Sequence, residues 1–291
     1  MQQTLFKIDV QPQPVNVASV PQRSPFRYPG GKTWLTPWIR RWLGNKTRQP
    51  ETFIDAFAGG GSVSLTVACE NLCRRVIMVE LDEDVASVWR VVLSPNADSL
   101  AQRIVDFELN TGSATKVIED KPRTDLDRAF QTIVRNRVYH GGILASGSGF
   151  LKHGENGKGI LSRWYPETLA RRIREISSVR HKILFIQGDA FEIVQAYSAR
   201  STAVTFLDPP YTVGGKKAGT RLYKFFQVDH RRLFEIASTI QGEFLMTYDV
   251  SDEVAELALV HGLDIEKVPM TNTHHSRMEE LLIGRDLAWA R

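Results

Sequence analysis

The chain has 291 residues, 42% of them hydrophobic, and 37 Lys and Arg against 33 Asp and Glu give a formal net charge of +4. That composition supports a core of domain size and excludes global disorder, while so slight a basic excess allows a polyanionic partner without specifying one. No run reaches the ~18 apolar residues of a membrane span, no basic-then-apolar leader opens the chain, and Cys69 and Cys73 are too few for a disulfide framework, so the expectation is a soluble cytoplasmic protein that meets no membrane.

Residues 1–24, rich in Gln, Pro and Val, have no helical or strand period and read as a flexible arm. The segment Phe26-Arg27-Tyr28-Pro29-Gly30-Gly31-Lys32 follows. A helix is predicted next, with Trp38, Ile39, Trp42 and Leu43 on one face, Thr36 as its cap, Pro37 in its first position and Gly44 at its end. Seven short apolar runs then read as buried strands: Thr52–Phe57, Arg75–Glu80, Ile183–Gln187, Ala203–Asp208, Glu243–Tyr248, Asp264–Pro269 and Glu279–Gly284. Helical stretches at 62–72, 82–93, 189–199, 229–240 and 251–262 separate most of them. The alternation predicts an α/β fold, a mostly parallel sheet with helices on both faces. The last two runs have no helix between them and are expected as an antiparallel pair at one edge.

One interval, from Val91 to Arg180, contains no strand of this sheet. It holds helical stretches at Leu126–Val138 and Pro166–Ile176, and between them a basic run from Gly141 to Arg163 with seven glycines. A loop of that length inside a domain is functional or disordered. The expected division is an arm (1–24), a catalytic domain (25–109 and 171–291) and a mainly helical insert (110–170).

The run Asp55-Ala56-Phe57-Ala58-Gly59-Gly60-Gly61-Ser62 follows the first strand and opens a helix. Glycines there let the backbone turn sharply and approach a ligand, which in open α/β sheets lies at the carboxyl ends of the strands. Glu80 ends the second strand, where an acid accepts hydrogen bonds from ribose hydroxyls. The pair indicates a nucleoside cofactor. Asp55, inside the turn, would repel a pyrophosphate but attract the cationic methionine moiety of S-adenosyl-L-methionine.

Asp208-Pro209-Pro210-Tyr211 ends the fourth strand. Two prolines cannot donate to a sheet ladder, so they stop the strand and aim their carbonyls in fixed directions. An adenine amine is a poor nucleophile because its lone pair is delocalised into the ring. A carboxylate and a backbone carbonyl accepting its two N–H groups pull the nitrogen toward tetrahedral geometry. Tyr211 offers a face for a base, which must leave the duplex to reach such a pocket.

Together these residues resemble the Dam-type (D12 class) DNA adenine N6-methyltransferases. That family has a Phe-x-x-x-Gly-Gly-Lys segment, a glycine turn, a DNA-recognition insert and Asp-Pro-Pro-Tyr in this order. Phe26 to Lys32, Asp55 to Ser62, about 110–170, and Asp208 to Tyr211 stand at those places. The resemblance implies a Rossmann-like, seven-stranded methyltransferase fold with a DNA-recognition insert. It implies methyl transfer from S-adenosyl-L-methionine to the exocyclic nitrogen of adenine in a specific DNA sequence, with base flipping. By position, Tyr28, Lys32, Asp55, Phe57, Gly59, Gly61, Glu80, Asp189 and Asp208 are the cofactor residues, and Asp208, Pro209, Pro210 and Tyr211 are catalytic. Arg27 and Arg137 are placed to face double-stranded DNA, as are Lys152, Lys158 and Arg163 of the glycine-rich run. The expected enzyme is a monomer or weak dimer of a bacterial or phage-infected cell.

Gly214-Gly215-Lys216-Lys217 after the tetrapeptide reads equally as a basic loop closing on DNA or as solvated surface. His274-His275 reads as a turn between the last strands, since nothing beside it completes a metal set. Rivals to the main reading are an amino-methyltransferase of cytosine or RNA, and a non-catalytic DNA-binding protein on the same fold.

Overall fold

The computed structural model describes residues 15–154, 157–213, 222–271 and 277–291. Its sheet has seven strands in the order β3-β2-β1-β4-β5-β7-β6. They are β1 Thr52–Asp55, β2 Arg75–Glu80, β3 Ile183–Gln187, β4 Ala203–Leu207, β5 Glu243–Asp249, β6 Asp264–Thr271 and β7 Arg277–Gly284. The first five run parallel, and β7 pairs antiparallel with both β5 and β6. The chain reverses direction beside β1, between β2 and β4, so a crevice opens there at the carboxyl ends of the strands. β4 stops at Leu207 rather than at Asp208, because neither Pro209 nor Pro210 has an N–H to extend the ladder.

Ten helices are described: α1 Thr36–Gly44, α2 Ser62–Cys69, α3 Glu83–Val92, α4 Ala97–Val105, α5 Thr111–Glu119, α6 Asp125–Val138, α7 Pro166–Ser178, α8 Ala190–Tyr197, α9 His230–Thr239 and α10 Asp252–Val260. Side-chain caps fix several of their starts. Asp82 accepts from the Asp84 amide at 2.9 Å, Asp189 from Phe191 at 2.7 Å and Asp229 from Arg232 at 3.0 Å. Thr124 and Asp127 form a capping box at the start of α6. The start of α1 differs from expectation. A 3₁₀ turn, Thr33–Leu35, runs straight into it, so Leu35 and not Thr36 is its cap residue and no side chain caps it. Gly44 lies inside the last turn, and Asn45 follows as the C-cap.

Strand residues alternate between two cores, as period-2 packing requires. Phe53, Met78, Val204, Phe206 and Leu245 face one core, which also takes in buried residues of α1 and of α3 to α7. Leu207, Phe244, Met246 and Tyr248 face the other, under α8 to α10. The interval between β2 and β3 is helical outside the stretch between α6 and α7, with α4 and α5 where no helix was anticipated. Its helices do not form a separate core. Leu100 of α4, Ile133 of α6 and Ile173 of α7 belong to the same hydrophobic cluster as the sheet residues. Among the described residues, no helix is long and apolar enough to cross a membrane.

Candidate active site

The glycine turn works by close approach. Gly59 has φ +48°, and a Cβ on it would meet the Tyr28 ring at 2.6 Å. Gly61 has φ +68° and starts α2, where a Cβ would meet Trp89 at 2.8 Å and Met78 at 2.9 Å. Both positions therefore exclude a side chain by conformation and by space. Trp89 also donates from Nε1 to Gly59 O at 2.9 Å, fixing the turn against α3.

Tyr28, Gly31, Lys32, Asp55, Phe57, Gly59, Glu80, Asp189 and Asp208 line one cleft of about 680 Å³. Segments distant in sequence thus converge on a single wall, and Arg27 joins them at its side. Pro210 also lines it, whereas Pro209 is buried beneath.

Asp208 is held at one oxygen. Its Oδ1 accepts from Thr247 Oγ1 at 2.7 Å and from Tyr211 OH at 2.9 Å, and Lys32 Nζ stands 2.9 Å away. No hydrogen bond to Oδ2 is made among the described residues, so that oxygen remains free to accept. Lys32 is 4% exposed and also donates to Gly30 O at 2.9 Å. Burial alone would depress its pKa, but the charges of Asp208 and Glu280 outweigh it and hold the ammonium firmly protonated.

Glu280, on β7, was not anticipated. Its Oε2 lies 3.1 Å from Tyr211 OH and 4.0 Å from Lys32 Nζ. Burial pushes its carboxyl up to about 7, against the pull of Lys32. Thr247, on β5, was also missed. The signal for Glu280 was the pair of acids, Glu279 and Glu280, that opens an otherwise apolar run, and nothing local told which of them would turn inward or what it would meet.

Tyr211 differs from its expected part. Its ring stacks on the buried Tyr248 at 5.6 Å, with 24° between the planes, and Lys32 Nζ lies 4.9 Å from its centroid. The ring is thus engaged inside the protein, and its hydroxyl is what reaches Asp208. His230 props the stack, with Nδ1 3.0 Å from Tyr248 OH and Nε2 3.0 Å from Thr212 Oγ1.

Two more acids face the cleft, Asp55 buried and Glu80 partly buried. Burial raises Asp55 to about 7, although Ser64 Oγ donates to its Oδ2 at 2.6 Å. Its Oδ1 has no hydrogen-bond partner among the described residues. Burial likewise raises Glu80 to about 7, against the Asp82 amide donating to its Oε1 at 2.8 Å.

The basic residues divide. Lys152 and Lys158 are exposed, and Arg163 is partly buried. Arg137, expected on a DNA-facing surface, is 5% exposed, and its Nη2 donates to Pro25 O. It sits on the inner side of α6, where the helix packs against the segment leading to Tyr28. Lys216, Lys217 and His274-His275 lie outside the described residues.

The model of the D12 class N6 adenine-specific DNA methyltransferases matches residues 28–268. No curated protein matches the chain. Among solved structures, the rRNA methyltransferase AviRa from Streptomyces viridochromogenes aligns at 15% identity and a TM-score of 0.41, over 89% of this chain and 86% of that one. A precorrin-6y C5,15-methyltransferase from Geobacter metallireducens aligns at 9% identity and a TM-score of 0.36, over 86% and 85%.

Proposed function

Because the chain belongs to the D12 class of N6 adenine-specific DNA methyltransferases, we propose that it methylates the exocyclic amino nitrogen of adenine at a specific sequence in double-stranded DNA, with the base turned out of the duplex. The observation that carries this reading is the Asp208 carboxylate. Three donors hold its Oδ1, while Oδ2 has no bond to the protein among the described residues. A carboxylate locked at one oxygen presents the other in a fixed direction, with no reorganisation at the moment of reaction.

The cleft fits S-adenosyl-L-methionine, which when bound supplies an electrophilic sulfonium methyl. Asp55 Oδ1 is a buried acceptor without a hydrogen-bond partner among the described residues, suited to the cationic methionine moiety. Glu80 would hold the ribose, Asp189 would meet the adenine edge, and Tyr28 closes the wall over the glycine turn. In this reading Asp208 Oδ2 accepts one amine N–H and a proline carbonyl of the tetrapeptide accepts the other. The nitrogen lone pair is thereby freed, and developing positive charge falls beside a carboxylate. Lys32, Tyr211 and Thr247 keep that carboxylate oriented. The helical interval at 110–170 is proposed as the target-recognition region, since it adjoins the cleft through the Ser24–Tyr28 segment.

The test is methyl transfer from labelled S-adenosyl-L-methionine to duplex DNA, followed by nucleoside mass spectrometry. N6-methyladenine is the expected product. N4-methylcytosine, or labelling of RNA alone, would replace this reading with one of its rivals.

A further inference from the structure

Four arginines, Arg27, Arg137, Arg163 and Arg172, line one cavity of about 260 Å³ between α6, α7 and the segment before Tyr28. Two of them, Arg27 and Arg172, also line the large cleft, so the cavity opens on its rim. Among the described residues, no carboxylate lies in ion-pairing range of Arg27, Arg137 or Arg172. Arg137 is the deepest. It is 5% exposed, and its Nε has no hydrogen-bond partner among the described residues. Burial, then the charge of Arg172, lowers its pKa to about 10, and burial and Arg171 lower that of Arg172 against the pull of Glu175. Each group still carries its charge at neutral pH. Arg27 and Arg137 thus stand in the cavity with no carboxylate in range among the described residues, and a buried cation so placed is destabilising unless an anion completes it.

The cavity is anchored to the backbone of the cleft wall. Arg172 Nη1 donates to Ser24 O at 3.0 Å, and Arg137 Nη2 donates to Pro25 O. Asn136 clasps Arg27 from both sides, accepting its N–H at 2.8 Å and donating to its carbonyl at 3.0 Å. Ser24 Oγ in turn donates to Gly60 O in the glycine turn. The segment so held runs directly into Tyr28 and Lys32.

We propose that this cavity seats one backbone phosphate of the DNA substrate, an inference that rests on the DNA reading above. The guanidinium fork matches a phosphodiester's two non-bridging oxygens, and several forks around one cavity give that group a fixed place. Opening on the rim of the cleft, the seat would register the strand whose base enters it. Its tie to Ser24 and Pro25 would link that contact to the wall carrying Tyr28 and Lys32. Phosphate contacts position a protein on DNA without reading sequence. The seat therefore serves register, and base recognition falls to other residues.

The experiment measures duplex affinity against salt for the unaltered chain, for Arg27→Gln with Arg172→Gln, and for the exposed pair Lys152→Gln with Lys158→Gln. The arginine pair should lose about tenfold in affinity, the scale of a charge-assisted contact, with its log–log salt slope flatter by about 0.9 for one lost phosphate. Its circular dichroism and its urea unfolding should match the parent, a control for folding. Arg27→Gln alone, which removes no side-chain bond among the described residues, repeats the test if the pair folds poorly. A second arm needs no variant: inorganic phosphate and duplex DNA should each shift the side-chain Nε resonance of Arg137. An unchanged slope in both arginine variants overturns the phosphate seat. If inorganic phosphate still shifts Arg137 in that case, the cavity is a free-anion site and not a DNA contact. Failure of the unaltered chain to bind any duplex overturns the DNA reading itself, and the seat with it.

Discussion

Lys32 Nζ stands 2.9 Å from Asp208 Oδ1, joining the start of the cofactor wall to the end of β4 across most of the chain. The ammonium is 95% enclosed at its side chain, and Glu280 lies 4.0 Å away on its other side. One cation therefore serves two acids. Replacing it by Met leaves the buried Glu280 and the partly buried Asp208 without that counter-charge. Breaking one side of a buried pair costs about 3–5 kcal/mol. Lys32→Met is expected to lose stability on that scale by urea unfolding; a loss below about 1 kcal/mol, the range of surface pairs, would show the pair to be solvated.

Asp208→Asn keeps the size of the side chain and much of its hydrogen bonding but removes the charge. Asp208→Ala removes the acceptor altogether. Single-turnover methyl transfer is expected to fall by at least about 10²–10³ in the Ala variant, the usual effect of deleting one preorganised group. Circular dichroism of both variants should match the parent. Turnover near the parent value in Asp208→Ala would remove the residue from the chemistry.

Glu80 predicts a pH dependence of cofactor binding. Burial first, and the Asp82 charge with it, hold its carboxyl up to about 7 in the free protein. Ribose hydroxyls donate to the ionised form. Binding below that pKa must therefore release a proton, so affinity for S-adenosyl-L-methionine should weaken as pH falls below about 7, by up to tenfold per unit. Calorimetry in buffers of different ionisation enthalpy reads the released proton directly. Glu80→Gln should flatten the dependence. A slope that survives the substitution points to Asp55, which burial also raises to about 7.

Glu280 predicts a stability profile of the opposite sense to ordinary acid denaturation. Its folded pKa, about 7, lies above the usual carboxylate value of 4.5 because burial penalises the charge, with Asp208 nearby adding to the rise. The folded state thus holds the proton more tightly than the unfolded state. This contribution is complete below about pH 4.5 and is lost as pH rises through about 7. Glu280→Gln, a permanently neutral mimic, should remove that decline between about pH 5 and about pH 8. Thermal melts of variant and parent across this window decide it, and parallel curves would show that Glu280 does not titrate there.

Much of this molecule was legible before any coordinate. Six of the seven strands start where their apolar runs start, and the antiparallel edge followed from one missing helix. Local causes account for that: period-2 burial, capping acids such as Asp82 and Asp189, and prolines that end β4. The glycine turn and Asp-Pro-Pro-Tyr were equally visible, because backbone requirements at Gly59, Gly61 and Pro209 are met by very few residue types.

The sequence by itself determined the strands, the helices other than α4 and α5, the glycine turn and the acid that follows β4. Only the tertiary structure decided what meets that acid. Thr247 reaches the site because β5 pairs with β4, and Glu280 because β7 inserts between β5 and β6, which sets it opposite Asp249. Strand order is a property of the whole sheet, and no window of sequence contains it. The same holds for Arg137, which reads as a surface base on a polar helix. The packing of α6 against Pro25 turns it inward, into company with Arg27, Arg163 and Arg172. Charges so far apart along the chain interact only once folding removes the water between them.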